Sequence, residues 1–119
     1  MRSIGEVRAE AATLPHSRET FPFGETTLVF KVAGRMYALT DIQADPPSLS
    51  VKVTPEGGEA LRAEYAAVQP GYHLNKRHWI TVTLDGTVPD ALLRELLAAS
   101  HALVVRGMTR AERVELGLG

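Results

Sequence analysis

Apolar residues alternate with polar ones along several stretches of the chain and recur at helical spacing along others. In TTLVFKVA (26–33), Leu28, Phe30 and Val32 alternate with Val29 and Lys31. A period of two places successive side chains on opposite faces of a strand. Gly34 supplies a turn, and RMYALTD (35–41) continues as a second strand, so the pair predicts a hairpin. Asp45-Pro46-Pro47 breaks the chain. SLSVKV (48–53) then alternates cleanly, with Leu49, Val51 and Val53 inward and Ser50 and Lys52 outward. Further on, GYHL (71–74) predicts a short strand and HWITVTL (78–84) a longer one, closed by Asp85-Gly86. Ile80, Val82 and Leu84 share its apolar face, which leaves Trp79, Thr81 and Thr83 on the other.

Helical spacing appears first at Ile4, Val7, Ala11 and Leu14. Ser3 and Glu6 are spaced as a capping box, and Pro15 stops the pattern, predicting a helix over 3–13. Residues 15–25 are punctuated by Pro15, Pro22 and Gly24 and predict a loop, with Phe21 and Phe23 as core plugs at its end. Thr54-Pro55-Glu56 combines a cap, a proline at the first helical position and an acid at the positive helix end, opening a helix that runs to Tyr65. Pro89 opens a third, with a broad stripe of Leu92, Leu93, Leu96, Leu97, Leu103 and Val104 that Gly107 ends. Thr109-Arg110-Ala111-Glu112 is a second capping box, for a short tail helix. The order α-β-β-β-α-β-β-α plus a tail predicts an α+β fold in two layers. An antiparallel sheet of about five strands carries helices on one face. The opposite face is either solvated or used. No linker or repeat interrupts the 119 residues, so 1–119 forms one domain.

Composition narrows the function. Lysine and arginine number 13 against 14 acids, a net charge of −1, so nucleic-acid binding has to come from a local patch. The chain contains no cysteine, which excludes thiolate chemistry, disulfides and Cys-ligated metals within it. That absence, a start without an apolar leader core, and the lack of any long apolar run predict a cytoplasmic protein with no membrane partner.

The densest candidate chemistry lies in GYHLNKRHWITVTLDG (71–86). Lys76 and Arg77 stand beside Trp79, the single tryptophan, on a segment (65–84) without any acid. An exposed indole next to cations suits base stacking with phosphate contact. Lys31, Arg35 and Lys52 are outward cations that can extend the patch. The same residues also fit a plain hairpin tip, with Asn75 chosen for the turn, cations for solubility, and Trp79 packed under a loop or helix. His73 and His78, five apart, share no face of one element, and His16 and His101 lie elsewhere, so no metal is expected. Ser3, Ser17, Ser48, Ser50 and Ser100 sit in no nucleophile elbow. Gly57-Gly58 opens a helix without a phosphate-loop pattern and beside Glu56 and Glu59, which repel an anion. No cofactor and no catalytic residue is expected.

Several blocks together resemble the MmcQ/YjbR-type family: PFG at 22–24, VFKVAGRMYAL at 29–39, VKVTPE at 51–56, and above all PGYHLNKRHWITVTLDGTVPDALLRELLAAS at 70–100. The resemblance covers nearly the whole chain. It implies a small bacterial single-domain protein with a two-layer α+β fold similar to type III secretion chaperones. It also implies DNA binding, the property that family is labelled with, and no catalytic residue. Leu74, Arg77 and Ile80 depart from positions often Met, Lys and Asn in such proteins, and at Ile80 an apolar side chain replaces a polar one. The expectation is therefore a non-enzymatic binding module whose partner is DNA, through Lys76, Arg77, Trp79, Lys52 and Arg35. The alternative is a protein-interaction or adaptor domain whose partner is another protein docked on the free sheet face.

Overall fold

The hairpin predicted around Gly34 forms. In the computed structural model, which describes residues 1–119, β2 (Thr27–Val32) and β3 (Arg35–Asp41) pair antiparallel across a two-residue turn. Ala33 and Gly34 both hold positive φ, at 50° and 79°, the requirement of the tight turn that matches strand twist. Around this hairpin, β1 (Ser17–Thr20), β4 (Ser48–Lys52), β5 (Val68–Pro70) and β6 (Trp79–Thr83) complete a sheet of order β1-β2-β3-β4-β6-β5, antiparallel throughout. Helices α1 (Ile4–Ala11), α2 (Pro55–Glu64), α3 (Asp90–Arg106) and α4 (Arg110–Glu115) complete the chain, and the fold is the expected α+β one.

Six strands form where about five were expected. The added strand is β1, inside the stretch predicted as a loop. Its sequence, SRET, has no apolar residue to alternate. It is held by its ladder to β2 and by Arg8 of α1, whose Nε donates to both carboxylate oxygens of Glu19 at 3.0 Å. GYHL is not a strand: the pairing segment is Val68–Pro70, just before it. Each predicted cap forms, but the box at Ser3 is not reciprocal, because the Glu6 carboxylate accepts from the Arg2 N–H and the Ser3 hydroxyl instead of the Ser3 N–H. Ser3 accepts from the Glu6 N–H, Thr54 from Gly57, and Thr109 and Glu112 form the reciprocal box that starts α4.

One sheet face carries the core. Leu28, Phe30, Val32, Ala38, Leu49, Val51, Ile80 and Val82 join Val7 and Ala11 of α1 and Leu93, Leu97 and Val104 of α3 in a single buried cluster. Leu61 and Tyr65 of the α2 region pack against its margin. α3 lies across β3 and β4, where its long apolar stripe finds a surface to cover.

The alternation of β3 breaks at its middle. The ladder pairs Phe30 with Ala38 but Lys31 with Met36, so Tyr37 is an extra residue, a β-bulge. Tyr37 and Ala38 are consequently both buried toward the helices. The register of β3 with β4 ends at the same place, after Ala38↔Val51. The next pair in that register would be Tyr37 and Lys52. Instead the Ser100 hydroxyl of α3 bridges them, donating to the Tyr37 carbonyl and accepting from the Lys52 N–H at 2.8 Å. Ser100 is fully buried. Beside it, His101 meets the Tyr37 ring edge-on at 5.2 Å and bonds the Pro15 carbonyl at 2.8 Å.

Ser100→Ala removes one hydroxyl but strands two buried backbone groups, so a loss of about 2–4 kcal/mol is expected. Urea unfolding of the variant against the parent chain measures it. A loss no larger than that of an exposed serine would show that the bridge carries nothing.

Candidate functional site

The sheet face opposite the helices is partly roofed by loops rather than bare. The β5–β6 connection, residues 71–78, folds back over it. The Gly71 N–H donates to the Trp79 carbonyl at 2.9 Å, and the Tyr72 N–H donates to Thr81 Oγ1 at 3.0 Å. A side chain at Gly71 would meet the Trp79 Cβ at 2.7 Å and the Leu74 Cβ at 3.1 Å, so only glycine allows this approach. Asn75 Oδ1 accepts from the Arg77 N–H at 2.9 Å and from the His78 N–H, which sets the loop tip. His73 takes a positive φ of 58°, and its ring lies 4.0 Å from that of Tyr72.

Between this loop and the β1–β2 loop lies a cleft of about 390 Å³. Its floor is Thr27, Met36, Leu39, Asp41, Ser48, Ser50 and Thr81; Phe23 forms one wall and Tyr72, His73 and Leu74 the other. Met36 and Leu39 are three apart, and a regular strand would put them on opposite faces. The bulge at Tyr37 places both here. On the floor the Ser50 and Thr81 hydroxyls bond each other at 2.8 Å. Phe23 and Tyr72 are 72% and 70% exposed, so Phe23 lines a cleft instead of plugging the core, and Phe21 is exposed as well. The apolar core already closes on the other side of the sheet, which leaves these rings no interior to enter.

A family model described as YjbR matches residues 12–103. The chain belongs to the YjbR family. YbdF of Escherichia coli O157:H7 is 34% identical over 103 residues, covering 87% of this chain and 84% of its own. YjbR of Escherichia coli K12 is 37% identical over 83 residues, 70% of either chain. The crystal structure of Deinococcus radiodurans protein DR2400, a DUF419 domain, matches with a TM-score of 0.96 at 58% identity, covering 100% of this chain and 91% of that one. A Pseudomonas syringae crystal structure matches with a TM-score of 0.74 at 26% identity, covering 85% and 97% respectively.

In this YjbR-family fold the five residues expected to form a nucleic-acid patch do not all gather: Arg35 stands apart from the other four. Trp79 lies on the helix-free face, as its register with Lys52 shows, but it is only 9% exposed beneath the 71–74 loop. It offers no free ring for a base to stack on. Lys76 turns back, its Nζ donating to the Gly71 carbonyl at 3.0 Å. Arg35, paired with Val32 in the ladder, belongs to the helix side, where it forms a 2.8 Å ion pair with Glu112 of α4. Lys52 is half-buried beside Trp79, and Arg77 alone is exposed without a partner in the fold. Ile80 is fully buried in the core. The apolar residue there suits its place, and no polar surface contact is lost. No three histidine, aspartate or glutamate side chains converge as metal ligands, and no helix is long and apolar enough to cross a membrane.

Spacing along the sequence does not mark Phe23, Met36, Leu39, Asp41 and Tyr72 as one site. Tyr72 and His73 stood inside the conspicuous 71–86 block, but Met36 and Leu39 become neighbours only through the bulge.

Two outcomes follow from these contacts. Gly71→Ala overpacks the loop against Trp79 and is expected to cost about 1–3 kcal/mol, read by urea unfolding together with displaced amide resonances at 72–74. The Arg35 side chain, followed by the Thr109 N–H, holds the Glu112 carboxyl down at about 2 from its usual 4.5. A lowered carboxyl stabilises the fold fully above its unfolded value and stops doing so as pH falls through its folded value. Tail-helix amides 110–116 should therefore stay in place at pH 5 and shift as the pH falls from 4.5 toward 2. Glu112→Gln should abolish that transition.

Proposed function

We propose that this chain is a non-enzymatic, cytoplasmic binding module whose working surface is the cleft on the helix-free sheet face, and that it takes an extended segment of another protein. The single observation that carries this reading is the pair of exposed aromatic rings, Phe23 and Tyr72, flanking a cleft with a mixed apolar and hydroxyl floor. Exposed aromatics at the margin of a shaped cavity supply contact area with little loss of side-chain freedom, the usual composition of binding hot spots. The hydroxyls of Ser50 and Thr81 are bonded to each other, which favours a recognition floor over an activated nucleophile. The cysteine-free sequence supports the cytoplasmic setting.

Nucleic acid is the competing ligand, favoured by the acid-free 65–84 segment and the free Arg77. It is supported less well, because Trp79 is covered and Arg35 and Lys76 are engaged within the fold.

Selection of extended peptides displayed on phage, followed by fluorescence anisotropy, separates the two. Selected peptides should bind the parent chain and lose at least about tenfold in affinity to the Phe23→Ala/Tyr72→Ala double variant. Oligonucleotide anisotropy across a salt series is the second arm. Salt-sensitive binding that disappears in Arg77→Ala and ignores the double variant would reject the cleft in favour of nucleic acid.

A further inference from the structure

Building on the cleft as the working surface, we infer that the segment it takes carries a lysine or arginine, and that Asp41 is its counter-charge. The carboxylate of Asp41 is the one acidic side chain lining the cleft. It sits at the end of β3, opposite Thr27 in the ladder, on the same face as Leu39. One oxygen, Oδ1, accepts the Gln43 N–H at 2.9 Å. The other has no partner in the fold, and Asp41 takes part in none of the ion pairs that engage Glu6, Glu10, Glu19, Asp90 and Glu112.

The surroundings of that carboxylate suit a cation on an aliphatic stem. Phe23 presents an exposed ring, and Tyr72 presents another that stays 70% exposed with the His73 ring 4.0 Å away; an aromatic face attracts a cation that approaches it. Met36 and Leu39 give methylene groups an apolar surface to lie on, the way lysine and arginine stems pack while their heads stay polar. The hydroxyls of Thr27 and Ser48 add neutral acceptors. A phosphate or an acidic segment would meet the same carboxylate as a repulsion.

The dimensions favour a chain segment over a free amine. The floor runs across strands β2, β3, β4 and β6. Three interstrand steps of about 4.8 Å make that floor about 14 Å wide, more than one side chain fills across its width. Neighbouring apolar side chains of the same segment fill the remainder.

The test uses the ¹⁵N-labelled full chain and three blocked peptides, Ala-Leu-X-Leu-Ala, with X as lysine, norleucine or glutamate. The lysine peptide should move amides 39–41, 72–74 and 81 and bind about tenfold more tightly than the norleucine peptide, as a charge-assisted contact predicts. Asp41→Asn should erase that preference while leaving the fold intact, because asparagine keeps the Oδ1 that accepts from Gln43. Equal binding of the norleucine peptide at the same amides, or a lysine preference that survives Asp41→Asn, overturns the counter-charge and leaves the peptide cleft standing. Absence of any shift at the cleft with all three peptides sinks both readings. Butylammonium binding as tightly as the lysine peptide overturns the segment in favour of a small amine.

Discussion

One inserted residue, Tyr37, sets the phase of the central strand, and much of the molecule depends on it. Before the bulge, β3 places Met36 on the helix-free face. After it, Leu39 and Asp41 lie on that face too, while Tyr37, Ala38 and Thr40 are buried. A β-bulge disrupts the ladder where it forms, and a buried unpaired carbonyl or amide is costly. Ser100 removes that cost by bonding both Tyr37 and Lys52. A serine side chain is short, so the bridge also fixes how closely α3 lies on the sheet. His101, the next residue, then reaches the Pro15 carbonyl, and the turn into β1 is held by the same turn of helix. A helix-side hydrogen bond and the floor of a cleft on the far side are thus consequences of one register shift.

The parts of this fold that were legible in the sequence are those written in local code. Period two predicted β2, β4 and β6, and the caps at Ser3, Thr54 and Thr109 predicted where helices begin. The parts that were not legible depend on contacts between distant elements. β1 has no apolar alternation and owes its place to β2 and Arg8. Periodicity put Trp79 on the correct face but could not report its exposure, because the cover comes from the approach of Gly71. The bulge had the same effect on the site: residues 36 and 39 share a face only because Ser100, more than sixty positions away, makes the broken ladder tolerable. Ser100 itself stood in an apolar helical stripe with no motif to mark it. A polar residue in such a stripe is a signal, since a buried hydroxyl must find partners.

The distribution of cations argues in the same direction. A patch made from Lys52, Lys76, Arg77 and Arg35 looks continuous when only sequence neighbours and outward positions are counted. In the fold it divides. Arg35 and Lys52 belong to opposite faces of the sheet, and Lys76 is a strut of its own loop, bonded to the residue whose close approach buries Trp79. Charge in this region therefore builds the wall of the cleft more than it decorates a surface. A carboxylate near Gly71 would compete for the Lys76 ammonium that closes the loop.

The helix-free face also holds two buried apolar residues outside the main core. Val29 and Trp79 are both buried, yet neither joins the cluster beneath the helices. Val29 stands between Thr20 of β1 and Leu39 of β3, and Trp79 lies beside Lys52 under the 71–74 loop. A sheet face left only to solvent has no need to bury such residues, since alternation would give it polar side chains throughout. Here apolar packing secures the ground on either side of the cleft, while the floor between keeps hydroxyls, a thioether and a carboxylate accessible. Rigid margins around a polar centre limit the rearrangement that binding requires, and that limits its entropic cost. The face is built like a pre-formed site, with the bulge placing its floor and Gly71 allowing its wall.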